Sequence, residues 1–159
     1  KARGGEIGVS FCDELKPETA RRLRSAKIIL PVDAVVSNGR RTRIERIGAI
    51  GKADSIIDIG PATASAYAKI ITQARTLFWN GPLGKFEETE ARNGTKALLK
   101  ALARAASLGA LTVVGGGETA DAAAEFGFAK KLGWISTGGG ASLAFLAGEA
   151  MPGLEGLKK

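Results

Sequence analysis

Three short glycine clusters carry the clearest chemical signal in this sequence. They are Gly81–Pro82–Leu83–Gly84, Gly115–Gly116–Gly117 and Gly138–Gly139–Gly140, and each closely follows a short apolar run. Glycine lets backbone N–H groups approach a phosphate with no Cβ in the way, and a following helix adds a partial positive charge. A single cluster of this kind is more often a plain tight turn. Two triple-glycine clusters within 159 residues favour phosphate binding.

The glycine clusters do not match the standard nucleotide-binding fingerprints. The segment 115–120 lacks the third glycine of G-x-G-x-x-G, and the Gly-Lys pairs at 84–85 and 51–52 lack the Ser or Thr of a P-loop. The sequence therefore predicts neither a regular dinucleotide site nor a Walker A kinase.

Polar residues beside these clusters are candidates for ligand or metal binding. Glu118 directly follows the second triple glycine, where a carboxylate could hold Mg²⁺ together with ligand phosphates. An acidic residue there could equally serve only to favour the dipole of a following helix. Asp58, Asn80 and Glu87 lie at or just beyond predicted strand ends, and each could instead be an ordinary hydrogen-bonding loop residue.

The composition excludes several kinds of catalytic site. The chain has no histidine and one cysteine, Cys12. A Ser-His-Asp triad, a Cys-His pair and the usual zinc sites are therefore excluded, as is an internal disulfide. The remaining chemistry must use carboxylates, lysines, backbone amides or a bound metal.

The net charge of +7 allows two interpretations. A cluster of arginines at positions 40, 41, 43 and 46 could bind nucleic acid. Only 6% of the residues are aromatic, however, and none is interleaved with the cluster as a base-stacking surface requires. We favour solubility or attraction for a phosphorylated ligand. No apolar run approaches the roughly 20 residues of a membrane helix, and no secretory leader is recognised.

The pattern of apolar residues predicts an alternation of strands and helices. Apolar runs without polar alternation predict buried parallel strands at 27–36, 55–59, 76–80, 111–114 and 134–136. Segments with helical spacing predict helices at 17–25, 62–74, 95–107, 119–126 and 141–146. Residues 40–52 show no period, so we expect a loop or an irregular β excursion. The alternation indicates an α/β fold.

The order of motifs resembles the C-terminal domain of phosphoglycerate kinase. The motifs are LPVDAVV, DIGPAT, WNGPLGKFE, GTKAL, VVGGGET and ISTGGGASLAFLAG followed by MPG. The resemblance runs from about Gly5 to the end of the chain. It implies a Rossmann-like three-layer open parallel sheet with helices on both faces, incomplete at one edge. Residues 1–159 would be a partial nucleotide-binding domain without the N-terminal substrate domain.

The resemblance implies a binding role for residues that follow the predicted strands. Asn80 would approach the nucleotide phosphates, Pro82 would pack near the adenine, and Glu87 would accept hydrogen bonds from the ribose hydroxyls. Gly115, Gly116 and Gly117 would line the nucleotide pocket.

The resemblance also implies roles in metal binding and phosphoryl transfer. Glu118 would occupy the position of the metal-binding acid, and Thr119 would begin the helix beneath the phosphates. Gly138, Gly139 and Gly140 would present helix amides to the transferred phosphoryl group. Two positions depart from the family pattern, which usually has Asp in place of Glu118 and a small apolar residue in place of Lys85.

The implied activity is a glycolytic phosphotransferase that moves a phosphoryl group between 1,3-bisphosphoglycerate and ADP, with Mg²⁺ and ADP or ATP bound by this domain. The chain begins after the family's glycine-rich strand and phosphate-binding lysine, so we expect the isolated chain to be inactive. The alternative is a non-enzymatic module that binds a nucleotide or a partner. The resemblance also implies a cytoplasmic location, a monomeric full-length enzyme, and neither nucleic-acid nor membrane partners.

Overall fold

The computed structural model describes residues 6–11, 16–25 and 27–156, and Cys12 lies outside these ranges. The chain forms two compact units. Lys1–Tyr67 and Leu83–Ala97 make up unit 1, and Ala68–Pro82 and Leu98–Lys159 make up unit 2. No helix among the described residues is long and apolar enough to cross a membrane.

Unit 1 contains an antiparallel sheet of three strands in the order β2-β1-β3. The strands are β1 (Asp33–Ser37), β2 (Thr42–Arg46) and β3 (Ser55–Ile59). A small core of Ala34, Val36 and Ile50 packs against one face of β1, and Ile56 completes it. Burial of these side chains holds the sheet together.

The hairpin between β1 and β2 corrects one prediction. Residues 42–46 form a regular strand paired residue by residue with β1, so the predicted loop or irregular excursion is wrong there. The turn is stabilised by Asn38, whose Oδ1 accepts hydrogen bonds of 3.1 Å from the N–H groups of Arg40 and Arg41. Gly39 adopts φ +81°, which side chains disfavour. Asn-Gly is a strong hairpin signal that the search for apolar periods missed.

Strand β1 begins six residues later than predicted, at Asp33 rather than at residue 27. Pro31 has no N–H to donate to a neighbouring strand. The N–H of Val32 donates instead to Oγ1 of Thr63, at 2.9 Å. Both effects keep residues 27–32 out of the sheet.

Two salt bridges of Arg43 stabilise the outer part of this sheet. The guanidinium of Arg43 donates to both carboxylate oxygens of Asp54, with Nη1–Oδ1 at 3.0 Å and Nη2–Oδ2 at 2.6 Å. These bonds, with one from the N–H of Gly51, lower the pKa of Asp54. Arg43 also contacts Glu45 at 2.8 Å. The central arginine of the predicted basic cluster is therefore neutralised within the fold.

Asp33 caps helix α2 (Pro61–Gln73) from the first residue of β1. Its carboxylate accepts hydrogen bonds from the N–H groups of Ala62 at 3.0 Å and Thr63 at 2.8 Å, and from the Thr63 hydroxyl at 2.6 Å. Burial alone would raise the pKa of Asp33, but these hydrogen bonds outweigh it and the pKa is lowered. The cap ties the start of α2 to the sheet.

Unit 2 contains three of the five strands predicted to be parallel. The other two, predicted at 27–36 and 55–59, pair antiparallel as β1 and β3 of unit 1, so the prediction of parallel pairing is wrong for them. Strands β4 (Thr76–Asn80), β5 (Leu111–Gly115) and β6 (Trp134–Ser136) pair in the order β4-β5-β6. Helix α4 (Gly117–Glu125) packs against β5 and β6. This open parallel sheet flanked by helices confirms the predicted α/β class.

The predicted helices are present with bounds that differ by at most two residues. They are α1 (Pro17–Ser25), α2, α3 (Asn93–Ser107), α4 and α5 (Gly139–Leu146), and a short α6 (Pro152–Glu155) was not predicted. Short 3₁₀ turns occupy Thr89–Ala91 and Ala129–Lys131. Leu98, Leu99 and Leu102 of α3 are buried on one side, as predicted.

Candidate functional site

The carboxyl ends of the parallel strands lie at one edge of the sheet in unit 2. Asn80, the last residue of β4, pairs with Gly115 at the end of β5, and Gly115 pairs with Ser136 at the end of β6. The turns that follow these residues therefore start at the same level. This edge is where open α/β sheets bind ligands.

The side-chain amide of Asn80 lies close to both triple-glycine turns. A Cβ on Gly116 would lie 2.8 Å from Oδ1 of Asn80, and a Cβ on Gly139 would lie 2.7 Å from the same atom. A Cβ on Gly139 would also lie 2.9 Å from Cα of Gly116. Gly116 has φ +96°, which further disfavours a side chain. The close approach of both turns to one amide therefore requires glycine.

Hydrogen bonds fix these turns to one another. The N–H of Gly116 donates to the carbonyl oxygen of Ser136 at 2.9 Å. The N–H of Gly81 donates to Oγ1 of Thr119 at 2.8 Å, and Thr119 is fully buried. The N–H of Gly138 donates to Oγ of Ser136 at 3.2 Å. The turns after β4, β5 and β6 thus form one connected rim.

Two helices begin at this rim without a side-chain cap. Gly116 precedes α4 and Gly138 precedes α5, and neither has a side chain that could accept hydrogen bonds from the first N–H groups of its helix. Uncapped helix starts carry unsatisfied amides and a partial positive charge, so they favour an anion such as a phosphate. The backbone around Gly117 and Gly140 is open, because a Cβ there would meet no atom within 4 Å.

Glu118 is an exposed residue in the first turn of α4. Among the described residues, no group of three or more His, Cys, Asp or Glu side chains is placed to hold a metal ion. Mg²⁺ commonly keeps one or two carboxylates and takes its other oxygens from phosphates and water. The position of Glu118 fits such a site only if a ligand supplies phosphate oxygens.

The predicted site residues fall into two groups. One group lies at the rim in unit 2 and consists of Asn80, Gly115–Gly117, Thr119 and Gly138–Gly140. Glu118 stands between Gly117 and Thr119 in α4, and Pro82 directly follows Gly81. Glu87 belongs to unit 1. It is exposed, and its carbonyl oxygen accepts a hydrogen bond of 3.0 Å from Nη2 of Arg92.

Unit 1 contains a buried carboxylate next to the segment that carries Glu87. Asp58 in β3 is 1% exposed. Its Oδ2 accepts a hydrogen bond of 2.7 Å from the N–H of Gly94, and its Oδ1 accepts one of 2.8 Å from the N–H of Ile59. Burial raises the pKa of Asp58, and the two hydrogen bonds only partly oppose that shift. Asp58 is thus a buried hydrogen-bond acceptor within β3.

Thr95 was not among the residues predicted for the site. This residue is fully buried, and its Oγ1 accepts a hydrogen bond of 3.0 Å from the N–H of Leu83. In the sequence, Thr95 stands at the start of a predicted helix, and a threonine there indicates only that a helix begins.

Comparison with known proteins decides the family. The phosphoglycerate kinase family profile matches residues 1–149. The chain belongs to the phosphoglycerate kinase family. It is 42% identical over 167 residues to a phosphoglycerate kinase of Chlorobaculum tepidum, a match that covers 99% of this chain and 42% of that protein. A phosphoglycerate kinase of Pelodictyon phaeoclathratiforme is 43% identical, with the same coverage.

Solved phosphoglycerate kinases share the fold. The structure from Coxiella burnetii superposes with a TM-score of 0.83 at 35% identity, covering 93% of this chain and 40% of that one. The structure from Pyrococcus horikoshii gives a TM-score of 0.78 at 33% identity, covering 89% of this chain and 35% of that one. This chain therefore spans less than half the length of the phosphoglycerate kinases it matches.

Proposed function

We propose that this chain supplies the nucleotide side of the phosphoglycerate kinase reaction. In that reaction a phosphoryl group moves between 1,3-bisphosphoglycerate and ADP, giving 3-phosphoglycerate and ATP in glycolysis. The chain would form part of the C-terminal nucleotide-binding domain and bind Mg–ADP or Mg–ATP. The phosphoglycerate would be bound by an N-terminal domain that lies outside the present sequence.

The convergence of the glycine turns on Asn80 carries this proposal. Two uncapped helix starts and two close-packed glycine turns lie at one strand edge, within contact distance of a single amide side chain. Such a rim offers backbone N–H groups to a polyphosphate. Phosphoryl transfer depends mainly on positioning and charge neutralisation, so the absence of histidine is compatible with it.

Each predicted site residue takes a role in this proposal. Asn80 and Thr119 lie beneath the phosphates, and Gly115–Gly117 line the pocket. Gly138–Gly140 would present helix amides to the phosphoryl group during transfer. The N–H groups of Gly138 and Gly139 would then have to exchange their bonds to Oγ of Ser136 and to the carbonyl oxygen of Thr137 for bonds to the phosphoryl oxygens. Pro82 packs near the adenine, and Glu87 accepts hydrogen bonds from the ribose.

Glu118 would hold Mg²⁺ together with the nucleotide phosphates. When bound, the metal neutralises phosphate charge. The Glu118 carboxylate is exposed, and without a metal it would repel a phosphate bound at the start of α4. The residue thus orients the metal-bound nucleotide and disfavours the metal-free one.

Calorimetric titration of the chain with Mg–ADP tests the binding proposal. We expect saturable binding that weakens when EDTA removes the metal. Glu118→Gln should weaken Mg–ADP binding by about tenfold, which corresponds to about 1.4 kcal/mol. Glu118→Asp should bind at least as tightly as the native chain. Asp121→Asn, which removes the same charge one turn further along α4, is the matched control. Equal affinities for all variants would refute the metal role.

A coupled kinase assay separates this function from the non-enzymatic alternative. We expect the 159-residue chain to bind nucleotide without turnover, because the phosphoglycerate has no proposed site here. Adding the remaining portion of the protein should restore turnover. If nucleotide binds and complementation never restores activity, the non-enzymatic binding module is the better description. For the whole enzyme we propose a cytoplasmic, monomeric protein without nucleic-acid or membrane partners.

A further inference from the structure

The buried carboxylate of Asp58 has no function in the proposed reaction, although its burial is unfavourable. Taking a charged carboxylate out of water costs free energy unless hydrogen bonds compensate. Asp58 receives them from two backbone N–H groups, those of Gly94 and Ile59. Its partners are therefore backbone groups of the surrounding segments.

The Asp58 carboxylate also shapes the segment Leu83–Glu87. A Cβ on Gly84 would lie 2.7 Å from Cγ of Asp58 and would also clash with the carbonyl oxygen of Ala91. A Cβ on Gly94 would lie 2.9 Å from Cγ of Asp58. Both glycines thus let backbone pack directly on the carboxylate, and a displaced carboxylate would leave both without support.

The first residue of this segment is held by Thr95. Oγ1 of Thr95 accepts the hydrogen bond from the N–H of Leu83 at 3.0 Å. The N–H of Lys85 donates to the carbonyl oxygen of Ile57 at 3.3 Å, next to Asp58 in β3. Phe86 is 5% exposed, so the residue before Glu87 is anchored in the core of the unit. These contacts leave Glu87 exposed at the end of a fixed backbone.

We infer that Asp58 and Thr95 are positioning residues that set the backbone of Leu83–Glu87 and thereby place Glu87 for the nucleotide ribose. This inference rests on the proposed function, because it requires Glu87 to accept the ribose hydroxyls. Neither residue touches the ligand. Asp58 fixes the start of α3 and the backbone at Gly84, and Thr95 fixes Leu83.

The same unit contains a matched pair of residues without this role. Asp33 caps α2 with a buried carboxylate, as Asp58 caps α3. The buried hydroxyl of Thr63 accepts hydrogen bonds from the N–H groups of Val32 and Asp33, as that of Thr95 accepts one from Leu83. No hydrogen bond links Asp33 or Thr63 to a described residue of Leu83–Glu87. Variants of this pair also remove a buried hydrogen-bonding group and lower stability, but they do not change the contacts of Leu83–Glu87.

The test compares the affinity for Mg–ADP with that for its 2′,3′-dideoxy analogue, which lacks both ribose hydroxyls. We expect the native chain to prefer ADP by about tenfold or more, as sites built to bind a hydroxyl do. Thr95→Val and Asp58→Asn should reduce this preference to within about twofold, and Glu87→Gln should do the same. Thr95→Ser, which keeps the acceptor, should retain it. Asp33→Asn and Thr63→Val should retain it despite lower stability.

Each outcome of this titration decides a separate point. A native chain that binds no Mg–ADP, or shows no ribose preference, overturns the proposed ribose role and the inference with it. A native preference that survives in Thr95→Val overturns the inference alone. A preference lost equally in Thr63→Val would show that general loosening of the unit is the cause, and would also overturn it. If Asp58→Asn does not fold, the ribose preferences of Thr95→Val and Thr95→Ser are compared instead, and an equal preference in both overturns the inference.

Discussion

The backbone N–H of Gly81 donates a hydrogen bond of 2.8 Å to Oγ1 of Thr119, joining the turn after β4 to the first turn of α4. Thr119 is fully buried, so its hydroxyl cannot be replaced by water without rearrangement. The bond therefore fixes the spacing between Asn80 and the amides of α4. Side-chain acceptors in such positions preorganise a phosphate site.

Thr119→Val should remove this acceptor with little change in shape. The N–H of Gly81 is then left without its partner, and we expect a loss of about 1–2 kcal/mol in unfolding free energy. Mg–ADP affinity should fall as well, because the rim is no longer held at one spacing. Urea unfolding and calorimetric titration measure the two effects. Thr119→Ser keeps the oxygen and should stay close to the native chain in both. A Thr119→Val chain with native affinity would argue against a preorganised rim.

Gly139→Ala and Gly140→Ala should have opposite effects on stability, although the two glycines are adjacent. A Cβ at position 139 would lie 2.9 Å from Cα of Gly116, a backbone atom that cannot move aside, whereas a Cβ at position 140 meets nothing within 4 Å. We expect Gly139→Ala to cost about 1–3 kcal/mol and Gly140→Ala to be neutral or stabilising by up to about 1 kcal/mol. Thermal unfolding monitored by circular dichroism compares them. Similar melting temperatures for the two variants would mean that the turns are not packed as described.

The parallel sheet was predictable because its strands are short apolar runs without polar alternation. Leu111–Gly115 is such a run and has three buried residues, whereas Thr76–Asn80 is also apolar although its residues are only half-buried or exposed. Strand β2 carries one apolar residue, Ile44, which is 58% exposed. It is stabilised by pairing with β1 and by the contact of Arg43 with Asp54, eleven residues away. The spacing of apolar residues along the chain carries no information about such a contact, so this strand was not predicted.

The site was predictable in its glycines and not in its contacts. The triple glycines stand out in composition and in their position after apolar runs. That Asn80 contacts both of them depends on the register of β4 against β5, which pairs Asn80 with Gly115. The anchoring of Leu83 by Thr95 likewise depends on how the segment folds back on α3. Neither relationship leaves a signal in neighbouring residues.

Asp33 should make stability depend on pH in the acidic range. Its pKa is lowered in the folded chain, so its contribution is fully present above the unfolded value of about 3.9 and is lost as the pH falls through the folded value. The unfolding free energy of Asp33→Asn should therefore lie furthest below that of the native chain near pH 7. The difference between the two free energies should shrink toward about pH 3. Urea unfolding at several pH values gives this difference directly. A difference that stays constant with pH would mean that the charge of Asp33 contributes nothing.

The open edge of β4 should make the isolated chain self-associate. Among the described strands, β4 pairs with β5 alone, and the backbone groups at its other edge have no partner in this sheet. Beside it lies a groove of about 460 Å³ lined mainly by apolar side chains. Phe145 and Leu146, which line it, are 63% and 60% exposed. Exposed apolar surface next to an unpaired strand favours association.

Sedimentation velocity over a range of concentrations checks this association. We expect the average sedimentation coefficient of the native chain to rise with concentration. Replacing Phe145 and Leu146 with serine should weaken the association by about tenfold, because it removes apolar surface without altering the sheet. Ile44→Ser is the matched control, since Ile44 is an exposed apolar residue of unit 1 that is not part of the groove. A native chain that stays monomeric and unfolds reversibly at every concentration would contradict the prediction, and so would an equal effect of Ile44→Ser.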